Sequence, residues 1–249
     1  MQNTIIVVPC YNEELRLPAD RFIDAARSDP TLSFLLVDDG SRDGTRALLE
    51  RLASESPQIE LLALQPNGGK AEAVRRGMLR AFERAPALVG YLDADLATPL
   101  SELAPMRRLI ESHSHLNIVL GSRVGLLGRD VQRSPQRHYL GRVFATLASA
   151  MLDAGIYDTQ CGAKLFRNIE PVRRAFEEPF QTRWTFDVEL IARLQALGHE
   201  GAMPPLDQSG AEYPVSEWRD VAGSKLGARA IAGAGVDLIK LWIRYKRPG

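Results

Sequence analysis

Gly90-Tyr91-Leu92-Asp93-Ala94-Asp95-Leu96-Ala97-Thr98-Pro99 is the stretch on which the reading of this chain turns. Ala87 to Leu92 is short and mostly apolar, which suits a buried strand. Two carboxylates spaced i, i+2 follow it, and Thr98-Pro99 opens a new element. In a regular strand alternate side chains share a face, so Asp93 and Asp95 are expected to converge where the strand ends. Acidic groups at the end of a buried strand are costly unless a cation or hydrogen-bond donors meet them. A hard divalent ion that keeps several waters and bridges substrate phosphates meets that need. The same pair could instead cap the helix that begins near Pro99.

Working outward, strands and helices alternate. Thr4 to Pro9 reads as a first strand, and Pro18 suits the first turn of a helix that carries Phe22, Ile23 and Ala26. Leu32 to Val37 is a second strand ending in Asp38-Asp39-Gly40-Ser41, followed by a helix with Leu48, Leu49 and Leu52 on one face. Ile59 to Leu64 is a third strand, Pro66-Asn67-Gly68-Gly69 a turn, and Lys70 to Arg84 a helix. A helix from Pro99 to Glu111 and a fifth strand, Asn117 to Leu120, follow the opening stretch. The expected fold is α/β, with a mostly parallel sheet flanked by helices. Ligands of such sheets sit outside the carboxyl ends of the strands, and four of these five ends carry polar motifs.

Beyond Gly121-Ser122-Arg123 the pattern changes. Gly125 to Gln136 is loop-like and basic, with Arg129 and Arg133 following Arg123, and Arg137 just beyond. Tyr139 to Met151 reads as a helix, Asp158 to Gly162 as a polar turn, Lys164 to Phe166 as a short strand, and Phe186 to Leu197 as a helix. Asp187 and Glu189 lie in the first turn of that helix, where carboxylates also favour the helix dipole. Leu226 to Lys246 is an amphipathic helix with Trp242 and a cationic end. It suits either a membrane interface or docking on its own domain or a second subunit. Three segments are expected: 1–120, 121–225 and the helical tail 226–249.

Bulk properties narrow the classes. The chain has 249 residues, 45% of them hydrophobic and 25% charged, as in ordinary globular proteins. Zero formal net charge argues against nucleic-acid binding. No run reaches the ~18 apolar residues of a membrane-spanning helix, and the N-terminus carries no signal-peptide pattern. Cys10 and Cys161 form no disulfide framework and read as small buried thiols. These points suggest the cytoplasm. The dinucleotide fingerprint, the P-loop, the hydrolase elbow and zinc-helix spacing are each missing.

Val7-Val8-Pro9-Cys10-Tyr11-Asn12-Glu13-Glu14, Val37-Asp38-Asp39-Gly40-Ser41, Asn67-Gly68-Gly69-Lys70 and Asp93-Ala94-Asp95, in this order, resemble family 2 glycosyltransferases of the GT-A fold. The second half narrows the resemblance. Gly121-Ser122-Arg123, Arg133-Ser134, Asp158 to Phe166, Arg183 to Leu190 and Gly223-Ser224-Lys225 are similar to the dolichyl-phosphate β-glucosyltransferase family. That resemblance implies transfer of glucose from UDP-glucose to a polyprenyl phosphate, with inversion and with Mg2+ or Mn2+. It implies that Pro9, Tyr11, Glu13, Asp38 and Asp39 hold the uridine, Asp39 reaching the base. It places Lys70 and Asp93 near the nucleotide-sugar and Asp95 on the metal. Lys70 and Lys225 could add positive charge.

The acceptor decides whether a base is needed. A hydroxyl must lose a proton during reaction, whereas a phosphate monoester is already mostly dianionic at neutral pH and needs a cationic cradle. Arg123, Arg129, Arg133 and Arg137 offer that cradle, and arginine binds phosphate bidentately. Asp158 and Asp187 stand as bases or sugar-binding groups. A lipid acceptor would bring the last helix to a membrane surface, with the protein peripheral on the cytoplasmic face. Two alternatives remain open: a family 2 transferase acting on a hydroxyl of a cell-surface glycan, and a non-catalytic module that binds a nucleotide-sugar.

Overall fold

A computed structural model of the chain describes residues 1–132, 146, 148–149, 155–219 and 228–245. Strand β1 (Thr4–Cys10) is paired in parallel on both edges, with β2 (Leu32–Asp39) and with β4 (Leu88–Leu92). Its side chains alternate between two cores. Ile5 and Val7 enter one and Ile6 and Val8 the other, so a continuous apolar run is what a strand covered on both faces requires. β3 (Ile59–Leu64) pairs outside β2. On the far side β7 (Ala163–Arg167) runs antiparallel between β4 and β5 (Ile118–Ser122), and β8 (Gly210–Pro214) closes that edge. The order is β3-β2-β1-β4-β7-β5-β8. The chain grows outward from β1 in one direction and then returns to β1's other edge with β4. The carboxyl ends of β1 and β4 therefore flank a topological switch point, where open α/β sheets bind ligands.

Helices α1 (Ala19–Ser28), α2 (Thr45–Glu55) and α4 (Leu103–Ser112) cover the face that carries Ile6, Val8, Phe34 and Leu36. Helices α3 (Lys70–Glu83), α5 (Glu170–Glu177) and α6 (Phe186–His199) cover the other face, with Val7, Val37 and Tyr91. Gly77 lets α3 lie close on the sheet: a Cβ there would collide with Val7 Cγ1 and come within 2.8 Å of Val37 Cγ2.

Several elements differ from the sequence reading. β2 extends through Asp38 and Asp39, because both residues pair with β3. The helix after Pro99 begins as a short 3-10 turn, Leu100–Glu102, before α4. The segment read as a loop contains β6 (Asp130–Gln132), which pairs with β9 (Glu217–Arg219). The short helix α7 (Leu206–Ser209) leads into β8. Of the helix expected over Tyr139–Met151, the structure describes only residues 146 and 148–149; these are helical, and Ala148 is buried. The last helix, α8 (Ala228–Tyr245), docks on α6 by burying Leu238 and Leu241. Among the described residues no helix is long and apolar enough to cross a membrane. Cys10 and Cys161 are buried free thiols.

Candidate active site

The loops after β1 and β2 are zipped together. Asn12, at φ 54°, donates its N–H to Ser41 Oγ at 3.1 Å and accepts the Arg42 N–H on Oδ1 at 2.9 Å. The Glu13 N–H reaches Thr45 Oγ1 at 2.7 Å. This gathers Pro9, Tyr11, Glu13, Asp38 and Asp39 at one sheet edge, since Pro9 and Cys10 stand in register with Val37 and Asp38. The two neighbouring aspartates then part company. The Asp39 carboxylate accepts Gly68 N–H, Gly69 N–H and Asn67 Nδ2, each at 2.8 Å. Burial pushes its carboxyl above the ordinary range despite those donors. Asp39 is thus the latch of the Asn67-Gly68-Gly69 turn. Asp38 accepts the Ser41 N–H on Oδ1, while Oδ2 faces Arg46 at 3.8 Å, beyond hydrogen-bond reach. Of the pair, Asp38 retains the freer acceptor.

Asp93 and Asp95 do not share a strand face. β4 stops at Leu92 and the pair occupies a turn, with Leu96 at φ 49° and its N–H bonded to Asp93 O at 3.2 Å. A left-handed leucine is a strained residue of the kind that clusters at functional sites. Asp93 Oδ1 is ion-paired with Lys70 Nζ at 2.6 Å. Its Oδ2 presses on Gly162, where a Cβ would collide with it. Desolvation works against the Lys70 ammonium, but Asp93 and then Asp187 outweigh it and raise its pKa.

Asp95 accepts the Ala97 N–H at 3.1 Å. Burial, then the Asp93 charge, raises its carboxyl above the ordinary range. Glu13 is raised too, first by burial, with Asp95 contributing. Its Oε1 takes Arg16 at 2.5 Å, and its buried Oε2 has no hydrogen-bond partner among the described residues. Carboxylates held at such a cost suit a cation. Among the described residues no three His, Cys, Asp or Glu side chains gather as a metal site. Asp95 and the unpartnered Glu13 Oε2 are nonetheless oxygen donors of the kind a hard divalent ion takes.

Two further carboxylates close the site from the second half of the chain. Asp187 Oδ1 accepts Lys164 Nζ at 2.6 Å and Tyr91 OH at 2.5 Å. Lys164 is buried and also donates to Cys161 O at 2.7 Å. Burial, then Asp187, pushes the Tyr91 phenol well above its ordinary value, so it stays a donor. Asp158 is gripped by Arg123, with Nε at 2.7 Å from Oδ2 and Nη2 at 2.8 Å from Oδ1. The Arg123 guanidinium stacks 5.5 Å from the Trp218 ring centre. Burial works against that charge, but Asp158 raises the Arg123 pKa.

The sequence reading left Asp158 and Asp187 as bases or sugar-binding groups and offered Arg123, with three other arginines, as a cradle for phosphate; the structure shows how each of the three is held. Each carboxylate is ion-paired, and one edge of the Arg123 guanidinium is turned to Asp158. Arg129 bonds Ser216 Oγ. Arg133, Arg137 and Lys225 lie outside the described residues. Lys164 and Tyr91 were missed. The signal was a lysine inside an otherwise apolar strand, where a buried charge demands a partner.

Comparisons with known proteins establish the family and the fold. The model of glycosyl transferase family 2 matches residues 5–169. A dolichyl-phosphate β-glucosyltransferase of Trichomonas vaginalis is 33% identical over 98% of this chain and 72% of its own length. The human dolichyl-phosphate β-glucosyltransferase is 31% identical over 96% and 75%. Among solved structures, glucosyl-3-phosphoglycerate synthase of Mycobacterium tuberculosis with Mn2+, UDP and glucosyl-3-phosphoglycerate superimposes with a TM-score of 0.67. It covers 98% of this chain and 80% of that one at 15% identity, a likeness of fold. That fold is GT-A, the latch and the two aspartates stand at its switch point, and the non-catalytic alternative falls away. The chain belongs to glycosyl transferase family 2 and is a glycosyltransferase.

Proposed function

We propose that this enzyme transfers glucose, with inversion, from UDP-glucose to a polyprenyl phosphate in the presence of Mg2+ or Mn2+. The observation that carries the acceptor reading is the pairing of Asp158 with Arg123 and of Asp187 with Lys164. Neither carboxylate is an unengaged base, and a hydroxyl acceptor needs one. A phosphate acceptor attacks as its own dianion. The relatives that are dolichyl-phosphate β-glucosyltransferases support the same acceptor and sugar, and the Mn2+ and UDP of the M. tuberculosis structure support the donor side.

In this reading residues 1–120 bind the nucleotide-sugar and 121–225 serve the acceptor. Pro9, Tyr11 and Glu13 frame the uridine, and Asp38 accepts from the base while Asp39 holds the turn beneath it. Asp95 holds the divalent ion, which when bound stabilises negative charge on the departing diphosphate. Lys70 and Asp93 fix the sugar-diphosphate end, and Arg133, Arg137 and Lys225 supply charge for the phosphates. Asp187, clamped through one oxygen, orients a sugar hydroxyl with the other.

A donor screen against a polyprenyl phosphate, reading lipid-linked sugar, tests this. UDP-glucose should give the product, and equal transfer to a soluble oligosaccharide hydroxyl would replace this reading with the cell-surface glycan alternative.

A further inference from the structure

α8 has two apolar faces. Leu238 and Leu241 bury the inner one against α6, and Asp237, the helix's one acid, accepts Thr185 Oγ1 on Oδ2 at 3.5 Å while its Oδ1 lies 4.0 Å from Lys240 Nζ. The outer one is a band at i, i+3 and i+7: Val236 is 52% exposed, Ile239 59% and Ile243 68%, with Trp242 beside them at 42%. Ten large apolar side chains are exposed among the described residues, and four of them fall in these eight positions. Scattered apolar residues are ordinary on a surface, whereas a contiguous band marks an interaction site. One flank of the band is cationic. Lys240 and Arg244 are exposed, and the sequence continues with Lys246 and Arg247.

We infer that this outer face lies on an anionic lipid bilayer, with the band at the acyl boundary and Lys240 and Arg244 among the headgroups. A helix laid in the interface combines apolar burial with attraction to anionic lipid, and both components are present on one surface here. Lysine and arginine stems cover apolar surface while their charges stay in water. A polar protein partner would leave the band unburied, and a second copy of this chain would bring Lys240 and Arg244 against their own like. The inference deepens the polyprenyl-phosphate reading, since such an acceptor keeps its tail in the bilayer, but it stands on the helix alone.

Removing α8 would uncover Leu238 and Leu241, so point changes on the outer face are the cleaner test. The full chain and a V236S/I239S/I243S variant are floated with phosphatidylcholine vesicles, with and without phosphatidylglycerol, beside light scattering and a thermal melt. The full chain should partition onto the anionic vesicles. The triple variant, melting as the parent does, should partition about tenfold less. K240Q/R244Q should bind anionic vesicles less and neutral ones unchanged. Equal partitioning of parent and triple variant overturns the inference, as does a parent dimer that the variant splits without any change in vesicle binding. If vesicle binding behaves as expected while no polyprenyl phosphate is glucosylated, the acceptor reading fails and the membrane face stands.

Discussion

The ammonium of Lys164 lies 2.6 Å from Oδ1 of Asp187, on β7 and at the start of α6 respectively, and both residues are buried. The same oxygen takes the Tyr91 hydroxyl from β4. Three elements distant in sequence are tied through one carboxylate oxygen at the floor of the site. Removing one partner of a buried pair leaves the other charge uncompensated, which costs about 3–5 kcal/mol. Lys164→Met should destabilise the fold by that much in urea denaturation. Adding Asp187→Asn should recover part of the loss. Tyr91→Phe should cost less, about 1.5–3 kcal/mol for a hydrogen bond to a charged group. A Lys164→Met protein as stable as the parent would show that the pair is not a buried ion pair in solution.

Asp95→Asn should abolish transfer and at the same time raise the melting temperature of the metal-free protein. The folded carboxyl is raised above the ordinary value of about 3.9, so the folded state holds its proton longer than the unfolded chain does. Stability of the metal-free fold then falls as pH rises from that ordinary value to the raised one, and stays lowered above it. Asparagine removes this cost, with roughly 2–4 °C expected for each kcal/mol in a chain of this size. Metal competes with the same proton, so Mn2+ affinity should climb with pH across that window in the parent. Calorimetric titration at stepped pH reads the climb, and an unchanged Mn2+ affinity in the variant would remove Asp95 from the metal.

Gly162→Ala should impair transfer at least about tenfold while leaving the melting temperature within a few degrees, since the new methyl falls on Asp93 Oδ2 and forces that carboxylate from Lys70. The defect should appear mainly in kcat. Parental kcat in the Gly162→Ala enzyme would mean that Asp93 need not hold its place.

The neighbours Asp38 and Asp39 should behave differently. Asp39→Ala breaks the latch on Gly68, Gly69 and Asn67, and should cost on the order of 2–3 kcal/mol of stability. Asp38→Asn should leave stability near the parent's and weaken UDP binding about tenfold, through the loss of a charged acceptor. Paired denaturation and calorimetry separate the two, and the reverse pattern would return the base contact to Asp39.

The sequence by itself determined the layers and the address of the site. Apolar runs of period two and faces of period 3.6 are local signals. They placed β1, β3 and α3 within a residue or so, and they put the polar turns at the carboxyl edge of a parallel sheet. Gly-Ala-Glu-Tyr-Pro carries no such period, so β8 went unseen; its place at the sheet edge comes from pairing with β5. α5 was missed for a different reason: Pro171 with Val172, Ala175 and Phe176 is a legible helix start and face, but it is short. What only the tertiary structure decided is which charged side chains are free. Asp158 meets Arg123 across 35 residues, Asp187 meets Lys164 across 23 and Tyr91 across 96. Ion pairing depends on distances of a few ångströms and on exclusion of water, and neither is a property of spacing along the chain. Two aspartates side by side in sequence, Asp38 and Asp39, therefore became a carboxylate with one oxygen beyond hydrogen-bond reach of Arg46 and a structural latch. Two carboxylates that the sequence left as bases or sugar-binding groups became the partners of Arg123 and of the buried Lys164.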